Sequence, residues 1–204
     1  MTLAAFLGVA LVHLMAAISP GPSFVLSVRT AAAEGFRTAA LLALGFGIGA
    51  CVWAGAALLG LALLFEMAPV LLTGMKVAGG LFLVWIAWNL ARHAREPMPV
   101  VAPGAAPRGA LASVRLGVAS MLANPKPAVF FGAVFVGLVP QAATLGDKGI
   151  VLANILWVET AWYVVCACAF SRAGPRAAYA RWKAALDRAF GGALAALGVS
   201  IAAT

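Results

Sequence analysis

Six long apolar runs, divided by short basic or proline-rich connections, limit what this chain can fold into. They extend from Leu3 to Leu26, Thr38 to Phe65, Val70 to Ala91, Ala110 to Val139, Gly149 to Phe170 and Ala189 to Ala203. A membrane-crossing helix takes about 20 predominantly apolar residues, and the runs approach or exceed that length, the last one if it begins near Ala184. None alternates polar with apolar residues, as a transmembrane β-barrel strand does. Helices satisfy their own backbone groups in lipid. The predicted fold is therefore all-α: a polytopic bundle of six transmembrane helices, forming one membrane domain over residues 1–204.

Composition agrees. Of 204 residues, 64% are hydrophobic and 10% charged, and the mean hydropathy is +1.03. A soluble domain is about 45–50% apolar and about 25% charged, which argues against a soluble enzyme, a disordered tail or a secreted scaffold. Cys51, Cys166 and Cys168 all lie inside apolar runs, an odd set that makes no disulfide framework. Residues 1–18 hold no Lys or Arg, so the first run reads as an uncleaved span and not as a secretory signal.

The net charge of +8 does not point to nucleic acid, because the charges sit in short clusters between the apolar runs. Arg29 and Arg37 follow the first run. Arg92, Arg95, Arg108 and Arg115 surround the third connection, and Arg172, Arg176, Arg181, Lys183 and Arg188 fill the fifth. The opposite side carries Lys76 and Lys148. The positive-inside rule places the three basic connections in the cytoplasm and both termini outside. The segment 172–188 reads as a short interfacial helix with Trp182 at the headgroups.

The linker 92–109, with Pro97, Pro99, Pro103 and Pro107, divides the chain into halves 1–91 and 110–204. Three spans per half must run in opposite directions, and the sequence echoes such an inverted repeat. Ser19-Pro20-Gly21-Pro22 interrupts the first run and Asn124-Pro125-Lys126-Pro127 the fourth. Lys76-x-x-Gly79-Gly80 opens the third and Arg188-x-x-Gly191-Gly192 the sixth. Proline removes a backbone donor and clashes with the carbonyl four residues earlier. The freed groups must face protein or a wet cavity. Paired breaks in two halves are the pattern of a transporter's central site, against the alternative of simple packing kinks.

Half-helix ends suit an amino acid: an N-terminal end favours a carboxylate, and carbonyls at a C-terminal end favour an ammonium group. Ser19 and Asn124 add neutral hydrogen bonds. Lys126 can attract the carboxylate, pair with an acid or snorkel to the surface. Glu159, in the middle of the fifth run, is costly to ionise in a membrane. It marks a proton path or a structural pair with Lys126 or the backbone. His13 is either a satisfied core histidine or a proton relay. Gly45-x-x-x-Gly49 permits close helix approach within the bundle or a homodimer contact. His-Glu-x-x-His, a Walker loop and a pair of intramembrane aspartates are all missing from the sequence, so no catalytic residue, metal or cofactor is expected.

The run from His13 through Ser19-Pro20-Gly21-Pro22 resembles the first-span signature of the LysE/RhtB amino-acid exporters, and Asn124-Pro125-Lys126-Pro127 resembles their fourth-span signature. Val52-Trp53-Ala54-Gly55, Leu59-Gly60-Leu61 and Val158-Glu159-Thr160 are most similar to the threonine/homoserine branch. The chain departs at Ser23, where relatives often carry an acidic residue. The resemblance implies export of a small neutral amino acid across the bacterial inner membrane, by exchange for protons. The competing classes are a membrane thiol–disulfide relay, which needs a cysteine beside each break, and a passive small-solute channel.

Overall fold

The computed structural model describes residues 2–19, 21–67, 69–96, 106–124, 126–128, 130–132, 139 and 143–203. Its regular elements are seven long helices: α1 (Leu3–Ile18), α2 (Pro22–Glu34), α3 (Phe36–Met67), α4 (Pro69–Arg92), α5 (Ala110–Ala123), α6 (Leu145–Phe170) and α7 (Ala173–Ala203). Residues 126–128 and 130–132 are helical as well.

Two stretches, Phe36–Gly60 and Leu145–Phe170, are long and apolar enough to cross a membrane, and α1 with α2 passes as one broken span bent by 62°. Ala110–Ala123 is a shorter apolar helix. The protein is thus an all-helical membrane protein with two or three candidate spans among the described residues. The outward faces match a lipid solvent. Leu3, Leu7 and Leu11 form an exposed stripe on α1, and Trp85, Trp88 and Trp157 are exposed on α4 and α6. Water would penalise apolar surface of this extent, whereas lipid does not.

Helix ends follow local chemistry. The Thr2 side chain accepts from the Ala5 amide. Thr144 and Asp147 form a reciprocal capping box at the start of α6. Gly35, at φ 87°, separates α2 from α3, in a conformation that costs a residue with a Cβ far more. The Glu34 carboxylate, at the end of α2, takes a 3.0 Å ion pair from the Arg108 guanidinium. It also accepts the Arg108 amide at 3.0 Å. This clasp joins α2 to the segment that leads into α5.

Three sequence expectations differ in detail. The first run does break at the proline motif, but its second piece continues to Glu34, so Arg29 lies on a helix and not in a loop. The segment 172–188, read as a separate interfacial helix, is continuous with the sixth run in α7. No proline interrupts it after Pro175, and Gly191 serves close packing against Ala87 of α4. The fourth run is helical to Ala123 and again over 126–128 and 130–132; residues 133–138, the greater part of its remainder, lie outside the described residues.

α3 is the central helix, packed on α5 along one side and on α6 along another. Backbone contact explains the closeness. A Cβ on Gly45 would strike the Val114 carbonyl, one on Gly117 the Leu42 carbonyl, and one on Gly47 the Thr160 hydroxyl. The glycines of the second run are therefore used inside the bundle. α4 and α7 pair antiparallel, Gly80 lying against Gly198 and Ala202. α1 and α2 lie against α6. Residues flanking both proline breaks line one pocket with Glu159 and Tyr163 of α6.

Candidate functional site

Periodicity turns the chemistry inward. On α1 the buried residues are Val9, His13, Ala16 and Ala17, opposite the leucine stripe. On α6 they are Val151, Ile155, Glu159, Tyr163, Cys166, Ala167 and Phe170. Steps of three and four residues keep such sets on one helix face, so His13 and Glu159 belong to the stripes that face each other.

Each break frees a carbonyl four residues before its first proline. The Ser19 amide reaches Met15; the Ala16 carbonyl would next receive the amide of residue 20, but residue 20 is a proline. In the second half the Met121 carbonyl would receive the amide of residue 125, again a proline. Both carbonyls find donors from elsewhere. The Lys126 ammonium donates to Ala16 O at 2.9 Å and to Ser19 O at 2.8 Å. The Trp53 indole donates to Met121 O at 3.2 Å, and the Asn124 amide turns back to the same oxygen. A buried carbonyl left unpaired costs about 1–3 kcal/mol, so these contacts hold the breaks open against collapse.

The breaks are also tied to each other. The Asn124 side-chain amide donates to Ser23 Oγ at 3.2 Å, and Asn124 Oδ1 accepts the Lys126 amide at 3.1 Å. Ser23 and Tyr163 of α6 line the same wall. Glu159 Oε2 lies 2.9 Å from His13 Nε2, with both side chains buried. The rings of Phe130 and Phe131 flank His13 at centroid distances of 6.3 and 5.4 Å.

These groups line one small, partly open pocket. Of the residues singled out in the sequence, His13, Ser19, Gly21, Asn124, Lys126, Pro127 and Glu159 line it. Pro22 starts α2 at its first turn, where a missing amide costs nothing. Pro20 and Pro125 lie outside the described residues. Lys126 neither snorkels nor takes Glu159 as its hydrogen-bond partner: it caps the end of α1, and Glu159 has His13.

Sequence reasoning missed Tyr163, Phe130, Phe131, Met121 and Ala50 in the lining. Tyr163 was open to detection, standing four residues after Glu159 on the same face. Ser23 was noted only as a departure, yet with Asn124 it makes one of the contacts between the two breaks. None of the three cysteines lines the cavity; all are free thiols, and Cys51 donates to the Leu152 carbonyl. Among the described residues, no group of three His, Cys, Asp or Glu side chains is placed to hold a metal ion.

Among the described residues, the Ser19 hydroxyl and His13 Nδ1 are buried in this wall without a hydrogen-bond partner. The wall therefore offers carbonyl acceptors, a cation, a carboxylate–imidazole pair and two uncommitted polar atoms around one small volume. That set can bind both ends of a zwitterion and hold a proton.

Known sequences agree with this description. A family model for LysE-type translocators matches residues 14–204. The threonine efflux protein of Escherichia coli strain K12 is 36% identical over 200 residues, covering 96% of each chain. That of Salmonella typhi is 34% identical over the same extent. A leucine efflux protein of Enterobacter sp. strain 638 is 28% identical over 150 residues, 71% of this chain and 69% of its own length. No solved structure matches the chain. The protein belongs to the LysE-type translocator family; it is a membrane translocator and not an enzyme.

Proposed function

We propose that the protein exports a small neutral amino acid, with threonine or homoserine favoured, from the bacterial cytoplasm in exchange for protons. The observation that carries this reading is the cavity where the two proline breaks meet, with Lys126, Ser19 and the Glu159–His13 pair on its wall. The efflux proteins it resembles supply the direction and the substrate class.

Glu159 and His13 are the proton-carrying pair in this scheme. A carboxylate and an imidazole 2.9 Å apart are within reach for passing a proton from one to the other. Losing that proton leaves a carboxylate in a dry site, and gaining a second leaves an imidazolium there. Either change is costly unless charge from substrate enters or leaves with it. Proton and amino acid are thereby made to alternate. Asn124 and Ser23 transmit the exchange between the breaks, since their hydrogen bond links α2 to the end of α5.

The packing supports a further part of the reading, that halves 1–91 and 110–204 form an inverted repeat of three spans each; that both termini lie outside rests on the basic connections alone. α3 contacts α5 much as α6 contacts α1 and α2, while α3 pairs with α6 and α4 with α7. A two-fold axis in the membrane plane would exchange these contacts.

The test is uptake into everted membrane vesicles made acid inside. Accumulation of threonine or homoserine that collapses with the pH gradient is the expected result. Equilibration that ignores the gradient would make the protein a passive channel, and failure to move any neutral amino acid would remove the substrate assignment.

A further inference from the structure

We propose that the carbonyls of Ala16 and Ser19 are the receptor for the substrate's ammonium group, and that Lys126, which fills that receptor in this structure, leaves it to take the substrate's carboxylate. The proposal rests on the amino-acid reading above and adds the orientation of the substrate and the event that admits it.

The geometry is that of an ammonium site. Lys126 Nζ stands 2.9 Å from Ala16 O and 2.8 Å from Ser19 O, the range of charge-assisted N–H···O bonds. The Ala16 carbonyl has no helical donor to return to, because residue 20 is a proline. The end of α1 also carries the negative end of the helix dipole. Any primary ammonium satisfies this pair as well as a lysine does. The Lys126 side chain is long and rotatable, and Gly21 leaves it room: even an added Cβ there would come no nearer than 3.8 Å to the lysine's Cδ and Nζ.

Exchange is favourable only for a zwitterion. An amine without a carboxylate would expel Lys126 into a buried wall with no new counter-charge. An amino acid brings the carboxylate that the displaced ammonium then needs. A second donor waits beside it in the Ser19 hydroxyl, which is 1% exposed, lines the cavity and has no hydrogen-bond partner among the described residues. The lysine therefore acts as an internal competitor, excluding simple amines and inorganic cations from the carbonyls. Glu159 is held by His13, so the carboxylate nearest the exchange is already committed.

The experiment uses purified full-length protein in detergent and reads thermal unfolding, not transport. Lys126→Ala removes three carbons and the ammonium, the atoms that n-propylammonium supplies. The expected result is a lower midpoint for Lys126→Ala that rises saturably with n-propylammonium chloride. Tetramethylammonium chloride, a cation without N–H groups, should leave it unmoved at equal ionic strength, and wild type should respond to neither. If Lys126→Ala does not fold, Lys126→Gln, whose amide can still serve one carbonyl, carries the same titration. An absent response, or an equal response to tetramethylammonium, overturns the proposal. Because no substrate is used, a negative titration beside gradient-driven threonine uptake discards the ammonium receptor and keeps the exporter. A positive one beside failed uptake does the reverse.

Discussion

His13 and Glu159, 146 positions apart, are joined by a 2.9 Å contact between Nε2 and Oε2 in the buried wall of the cavity. The pair couples the first half of the chain to the second at the atoms best suited to hold a proton. Glu159→Gln keeps the shape and one hydrogen bond but removes the charge. Export driven by a pH gradient is expected to be lost, while exchange of substrate for substrate across loaded vesicles continues. If the Gln variant still builds a substrate gradient from a pH gradient, proton coupling lies elsewhere. Glu159→Ala removes the partner altogether, and breaking a buried pair costs about 3–5 kcal/mol. Its thermal midpoint should fall well below that of the Gln variant.

The α3–α5 contact predicts opposite outcomes for two glycines of one helix. Gly45→Ala places a methyl group against the Val114 carbonyl, which is backbone and cannot turn aside. Overpacking of this kind costs about 1–3 kcal/mol. Gly55→Ala meets nothing within 4 Å and gains about 0.5–1 kcal/mol from the better helix former. Thermal unfolding of the two variants in detergent should show one midpoint lowered and the other unchanged or raised.

Lys183 predicts a non-additive pair. Its ammonium spends all three N–H groups, on Asp187 Oδ2 at 2.8 Å and on the carbonyls of His93 and Ala94 at 3.1 and 3.3 Å. Asp187 is 1% exposed. Lys183→Met leaves that carboxylate buried and uncompensated, at a cost of about 3–5 kcal/mol, whereas replacing both residues by apolar ones is often near neutral. The double variant Lys183→Met/Asp187→Leu should therefore unfold at a higher temperature than Lys183→Met alone.

The distribution of basic residues predicts the orientation. With the connections that hold Arg92 and Arg188 in the cytoplasm, an alkaline phosphatase fused after Thr204 should be active, and one fused within 97–105 inactive. The reversed pattern would overturn the orientation.

Much of the site could be read from residue type alone. Prolines cannot supply an amide wherever they are placed, so the two broken helices and their freed carbonyls follow from Pro20, Pro22, Pro125 and Pro127 without coordinates. The inward direction of His13 and Glu159 follows from helical spacing against the outward leucines and tryptophans. Partner choice was beyond the sequence. Of the fates open to Lys126, the fold shows neither snorkelling nor a hydrogen bond to Glu159: the side chain crosses to the other half and caps α1 through Ala16 and Ser19. Glu159 had Lys126 or the backbone as its expected partner and took His13. Ser23 carried too little local signal to be placed in the wall, and Tyr163 could be placed there only through its spacing from Glu159. The physical reason is one of range. Apolar runs, prolines and glycines act on the backbone within a turn or two, so their effect is written where they stand. A hydrogen bond between residues more than 100 positions apart depends on how α1, α5 and α6 are set around α3, and only the tertiary structure decides that.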